Sequence, residues 1–134
     1  MDTLKDQEYI CPKCRKKLIN KKKQVYFIIV NDNGNEGIIY LSPKVGDYDY
    51  SVEGDVPFKD GDLLTFLCPH CKKDLKSNKY PEYVSIKMNM NDMFDFDVLF
   101  SRKAGMKRTY VITEDEIERY GDDYDDEDIF DDIY

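Results

Sequence analysis

The chain of 134 residues carries 28 Asp and Glu against 20 Lys and Arg, is 41% hydrophobic and has no Trp, which fits one compact domain with a modest core. Its longest unbroken apolar run, Val25 to Val30, falls far short of the roughly 20 residues of a membrane helix, so a spanning protein of that type is excluded. Met1 to Gln7 contains acids and no apolar segment, so it does not read as a secretory signal, and a cytoplasmic location is expected.

In chain order, Tyr9-Ile10 leads into Cys11-Pro12-Lys13-Cys14. Gln24 to Asn31 and Gly37 to Ser42 are rich in β-branched and aromatic residues and predict two strands, joined by Asp32-Asn33-Gly34-Asn35 as a tight hairpin. Pro43 to Asp62, with Gly46, Gly54, Gly61, two prolines and many acids, predicts an irregular excursion. Leu63 to Leu67 then delivers the chain to Cys68-Pro69-His70-Cys71. Beyond it, Tyr83 to Met90 and Phe94 to Ser101 alternate with period two, placing Val84, Ile86, Met88 and Met90 on one face and Phe94, Phe96, Val98 and Phe100 on another. A turn over Arg102 to Arg108 precedes a strand at Tyr110-Val111-Ile112. Thr113 stands at capping-box spacing from Glu116, and Gly121 stands where a helix would stop, so a short C-terminal helix is expected from Glu114 to Tyr120. The division expected is a single, mainly β domain over 1–121 and a flexible acidic tail over 122–134.

The net charge of -8 is unevenly spread. Residues 114–134 hold twelve acids and one base, whereas residues 1–113 hold 16 acids and 19 bases, a mildly basic body with a strongly acidic tail. That segregation leaves nucleic acid open as a partner despite the low pI.

Four cysteines in the pattern C-x2-C-x53-C-x2-C carry the main chemical signal. Two C-x-x-C pairs supply four thiolates, a complete tetrahedral shell, and Cys11, Cys14, Cys68 and Cys71 are the expected ligands of one structural zinc ion per chain. Iron suits the same ligand set. A pair of redox-active dithiols would need the strand-to-helix setting of an oxidoreductase, and no such pattern is present. The bases Lys13, Arg15, Lys16, Lys17, Lys72 and Lys73 are placed to offset thiolate charge, and His70 is expected to face solvent from its knuckle. Residues 11–18 and 68–75 match at both cysteines, the proline and the closing leucine, a paired motif of eight residues recurring 57 positions on.

With these residues the chain resembles four-cysteine zinc-ribbon proteins, whose knuckles commonly read Cys-Pro-x-Cys at the ends of β-hairpins. The resemblance implies a mainly β fold, a zinc ribbon with an inserted antiparallel β-sheet; the 53-residue spacer departs from the shorter spacing of a simple ribbon. Leu41-Ser42-Pro43 with Gly46-Asp47-Tyr48, Ser101-Arg102 with Gly105, Thr109-Tyr110 and Tyr120-Gly121 are further similar to a group of small bacterial zinc-ribbon proteins without characterised function.

No nucleophile, Walker or dinucleotide pattern is present, and Asp95 with Asp97 reads as a solvated strand face, so an enzyme with an unidentified site is the weakest of three readings. A nucleic-acid-associated ribbon of the transcription or translation machinery would use Lys21, Lys22, Lys23, Lys72 and Lys73 with Tyr26, Tyr80 and Tyr83. The favoured reading is a non-enzymatic protein-interaction adaptor or accessory subunit, presenting the Asp47-Tyr48-Asp49-Tyr50 loop and the tail residues Ile129, Phe130 and Ile133.

Overall fold

The computed structural model describes residues 7–44, 46–90, 94–113 and 117–121. Among these the chain is mainly β and forms no helix. The strands are β1 (Gln7–Ile10), β2 (Val25–Val30), β3 (Glu36–Leu41), β4 (Tyr50–Glu53), β5 (Thr65–Leu67), β6 (Tyr83–Met90), β7 (Phe94–Ser101), β8 (Thr109–Ile112) and β9 (Ile117–Tyr120). They build two antiparallel sheets, β1-β6-β7-β8-β9 and β4-β3-β2-β5.

Period-two alternation decides which face each strand buries. Val25, Phe27 and Ile29 point inward from β2, Val84, Ile86 and Met88 from β6, and Val98 from β7, with Phe96 and Phe100 packed beside it. The alternating faces read from the sequence are therefore the packed ones, and the side chains of Met90 and Phe94 lie outside the described set. Phe100 of the five-stranded sheet meets Phe27 and Phe66 of the other at centroid distances of 5.7 and 5.4 Å, while Phe27 and Phe66 stand edge to face at 5.6 Å. A smaller cluster of Tyr83, Leu99 and Tyr110 occupies the opposite face of the five-stranded sheet.

The β2–β3 hairpin closes over Asp32-Asn33-Gly34, a three-residue loop in which Gly34 takes φ +84°. Asn31 clamps it, its side-chain oxygen accepting from the Asn33 and Asn35 amides at 3.1 and 2.9 Å. Two expectations are corrected and one is extended. The excursion after Pro43 contains β4, because Val52 packs on the core while Tyr50–Glu53 pairs with β3. The segment between the knuckles does form an antiparallel sheet, β4-β3-β2-β5, and a second sheet, β1-β6-β7-β8-β9, is built from strands outside it. The expected helix over 114–120 is also wrong in its described part, since Ile117–Tyr120 pairs with β8. Seven residues make a poor isolated helix, whereas β8 offers a free edge and Ile117 joins the outer cluster with Tyr83 and Tyr110. Glu114 to Glu116 and the acidic tail over 122–134 lie outside the described residues.

The eight-residue motif proves to be the visible part of a longer duplication. Lining up β1 to β4 with β5 to β8, one sheet runs β5-β2-β3-β4 and the other begins β1-β6-β7-β8, so the halves exchange their first strands. Tyr9 faces Met88 in one sheet as Phe66 faces Ile29 in the other. The Leu18 amide donates to the Tyr9 carbonyl at 2.7 Å, and the Leu75 amide to the Phe66 carbonyl at 2.9 Å. From Val25 and Val84 onward the correspondence runs 59 positions apart, to Val52 and Val111, and includes the turns Ser42-Pro43-Lys44-Val45-Gly46 and Ser101-Arg102-Lys103-Ala104-Gly105. In both turns the serine hydroxyl accepts from the lysine amide, at 3.2 and 3.1 Å, and the glycine has positive φ. Among the described residues β9 has no counterpart in the first half.

Candidate metal centre

Each knuckle is a tight loop at the end of a short strand. Cys11 N–H donates to the Lys16 carbonyl at 3.0 Å and Arg15 N–H to the Cys11 carbonyl at 2.9 Å. The second knuckle repeats these bonds between Cys68 and Lys73 at 3.0 Å and between Lys72 and Cys68 at 2.9 Å. Closing the loops puts Arg15 at φ +66° and Lys72 at +64°, a left-handed conformation that ordinary side chains seldom take. The amides of Lys13 and Cys14 aim at Cys11 Sγ from 3.3 and 3.4 Å, and those of His70 and Cys71 at Cys68 Sγ from the same distances. Both knuckles thus present donors suited to thiolate.

All four Sγ atoms lie within 4.8 Å of one another. Cys11 to Cys71 is 3.8 Å and Cys14 to Cys68 is 3.7 Å, too far for a disulfide and close to the edge of about 3.8 Å that a tetrahedron has when metal–sulfur bonds are about 2.3 Å. None of the four cysteines is in a disulfide; Cys11 and Cys68 are buried and Cys14 and Cys71 partly so. Burial pushes the Cys68 thiol up to about 12 and raises Cys11 as well, while the Lys73 amide chiefly brings Cys71 down to about 7. A cation entering this cluster displaces protons from the buried pair, so binding releases them. The four cysteines can therefore hold a metal ion.

The knuckles are also the crossovers between the sheets. The first runs from β1 in the five-stranded sheet to β2 in the four-stranded one, and the second from β5 in the four-stranded sheet to β6 in the five-stranded one. A metal held here ties both connections together.

The lysines expected to meet a partner are exposed around this end. Lys21, Lys22 and Lys23 form a turn in which Asn20 Oδ1 accepts from the Lys22 and Gln24 amides, and Lys72 and Lys73 close the second knuckle. Lys17 pairs with Glu8 at 2.8 Å. His70 is exposed and outside the sulfur cluster; its Nε2 donates to the Lys17 carbonyl at 2.9 Å and so bridges the two knuckles. Tyr26 stands edge-on to His70 at 6.1 Å and stacks on Tyr40 at 6.5 Å and 16°. Sequence reading missed Tyr40, because only the β2–β3 register places it opposite Tyr26.

The Tyr48 and Tyr50 loop divides. Tyr48 is half-buried and its hydroxyl lies 2.8 Å from Thr109 Oγ1 and donates to the Tyr120 carbonyl at 3.2 Å, a structural role, whereas Tyr50 is 58% exposed on β4. Ile129, Phe130 and Ile133 lie outside the described residues. Asp97 pairs with Lys87 across the strands. Among the described residues no helix is long and apolar enough to cross a membrane. Compared with family models, with curated proteins and with solved structures, the chain matches none.

Proposed function

We propose that the chain is a non-enzymatic, cytoplasmic zinc-ribbon protein that works as a protein-interaction adaptor or accessory subunit, with one structural zinc in the Cys11, Cys14, Cys68, Cys71 shell. The observation that carries the adaptor reading is β4: it ends the four-stranded sheet, three of its four residues are exposed, and Tyr50 is its most exposed large side chain. An edge strand of this kind offers unpaired backbone groups and one aromatic anchor to an extended segment of a partner. The closed thiolate shell supports zinc in a structural rather than catalytic role.

The test is recovery of partners with tagged wild-type chain and with Tyr50→Asp. A protein retained by the first and lost with the second supports the reading. An identical set of proteins with both would overturn the assignment to β4.

A second reading rests on the Tyr26, Tyr40 and His70 group beside the exposed lysines of both knuckles, an arrangement suited to stacking on bases next to a phosphate-binding surface. Anisotropy titration with a labelled single-stranded oligonucleotide checks it. Salt-sensitive binding that weakens several-fold in Tyr26→Ala favours nucleic acid. No binding at low salt removes that reading.

A further inference from the structure

We propose that the cleft between the two sheets binds a small amphipathic anion, with an apolar body of roughly eight to ten carbons held between the sheets and a carboxylate head held by Lys44 and Lys103. The cleft has a volume of about 230 Å³, and its inner wall includes Phe27, Phe66, Val98 and Phe100. An apolar cavity of about 150 Å³ accepts benzene, which scales to a body of this length. The cleft opens to solvent, and its mainly apolar wall suits an apolar body better than water.

The head group is specified by the duplication. The two Ser-x-Lys-x-Gly turns both line the cleft, and each delivers its lysine there: Lys44, exposed, from the first half and Lys103, half-buried, from the second. Neither ammonium makes an ion pair among the described residues. Other cations of the lining have their own partners. Arg102 donates to the Leu64 and Pro81 carbonyls, at 2.9 and 2.7 Å, and Arg108 to the Tyr83 hydroxyl at 3.0 Å. Among the described residues Asp47 is the one carboxylate of the lining, in the exposed loop with its Oδ1 accepting from the Asp49 amide, while the Asp60 carboxylate packs against Gly105 beside the cleft. A cleft lined by aromatic side chains and by two lysines outside any ion pair among the described residues selects an anion with an apolar tail, and the cysteines take no part in the lining.

The test is calorimetric titration of the intact, metal-loaded chain with octanoate, alongside octan-1-ol and octylamine. Octanoate is expected to bind once per chain and to raise the melting temperature, with octanol weaker and octylamine weakest. Lys44→Ala and Lys103→Ala should each lower octanoate affinity by about tenfold, as loss of one charge-assisted contact does, while leaving octanol unchanged. Ala104→Leu, at a half-buried lining position, should weaken both octanoate and octanol. The proposal is overturned by absence of saturable octanoate binding, by octylamine binding as tightly as octanoate, or by a Lys44→Ala, Lys103→Ala double variant that keeps wild-type affinity.

Discussion

Cys11 lies 3.8 Å from Cys71, sulfur to sulfur, although the two belong to opposite halves of the duplicated chain. Cys14 and Cys68 are joined in the same way at 3.7 Å, so neither C-x-x-C pair stands apart from the other. A metal at this point links both crossovers between the sheets, and its loss should be felt in how the sheets dock as well as in the knuckles.

Elemental analysis of the purified chain should accordingly find one zinc per chain. Cys68→Ser is expected to abolish stoichiometric binding, and chelation should remove on the order of 10 kcal/mol of folding free energy. Hydrogen exchange should rise in β1 and β5, the strands that enter the knuckles, before it rises in β7. Because the ligands bind as thiolates, affinity should fall as pH falls. Full metal content in Cys68→Ser would sink the assignment.

Phe27 is fully buried and meets both Phe66 and Phe100, so it links the two sheets. Phe27→Ala should cost about 3–5 kcal/mol, the range for removing a buried aromatic. Tyr50→Ala, at an exposed edge position, should stay within about 0.5 kcal/mol of wild type. Urea unfolding of the two variants checks the contrast, and equal effects would contradict the core described here.

The Tyr9 hydroxyl donates to the Pro43 carbonyl at 2.6 Å. Burial, with a smaller contribution from Tyr120, pushes its pKa from 10.0 up to about 12. A phenol whose folded-state pKa is raised adds stability that is fully present below the unfolded value and is lost as pH rises through the folded one. Stability should therefore drop by about 2–3 kcal/mol between roughly pH 10 and 12 from this group. Tyr9→Phe should be less stable than wild type near neutrality by about 1 kcal/mol yet lose less over the alkaline range. Parallel slopes for the two proteins above pH 10 would contradict this.

Gly121 takes φ +99°, and a Cβ there would run into the Lys107 carbonyl and come within 2.7 Å of the Tyr48 hydroxyl. Gly121→Ala should lower stability by about 1–3 kcal/mol by straining the end of β9. Hydrogen exchange should quicken in β8 and β9 together, because their pairing depends on that end. A melting temperature equal to wild type would show that the loop yields freely.

The share of this fold that was legible in the sequence is the share carried by local signals. Alternation in Tyr83 to Met90 and Phe94 to Ser101 gave the strands and their buried faces, since a side-chain period of two needs no knowledge of the neighbour. Four cysteines in two C-x-x-C turns marked the residues that come together in a cluster able to hold a metal ion, since each turn shapes itself around its own sulfur. Pairing is different in kind: the pattern of Tyr9 says which way it points and nothing about Met88, 79 positions away. The same holds for Ile117-Glu118-Arg119-Tyr120, whose four residues suit a helix or a strand equally until β8 supplies an edge. Strand exchange between the halves, the meeting of Tyr26 with Tyr40, and the convergence of Lys44 with Lys103 on one cleft all arise from contacts between segments distant in the chain. Such contacts are chosen by burial of two complementary apolar faces against each other, a condition that only the assembled sheets impose.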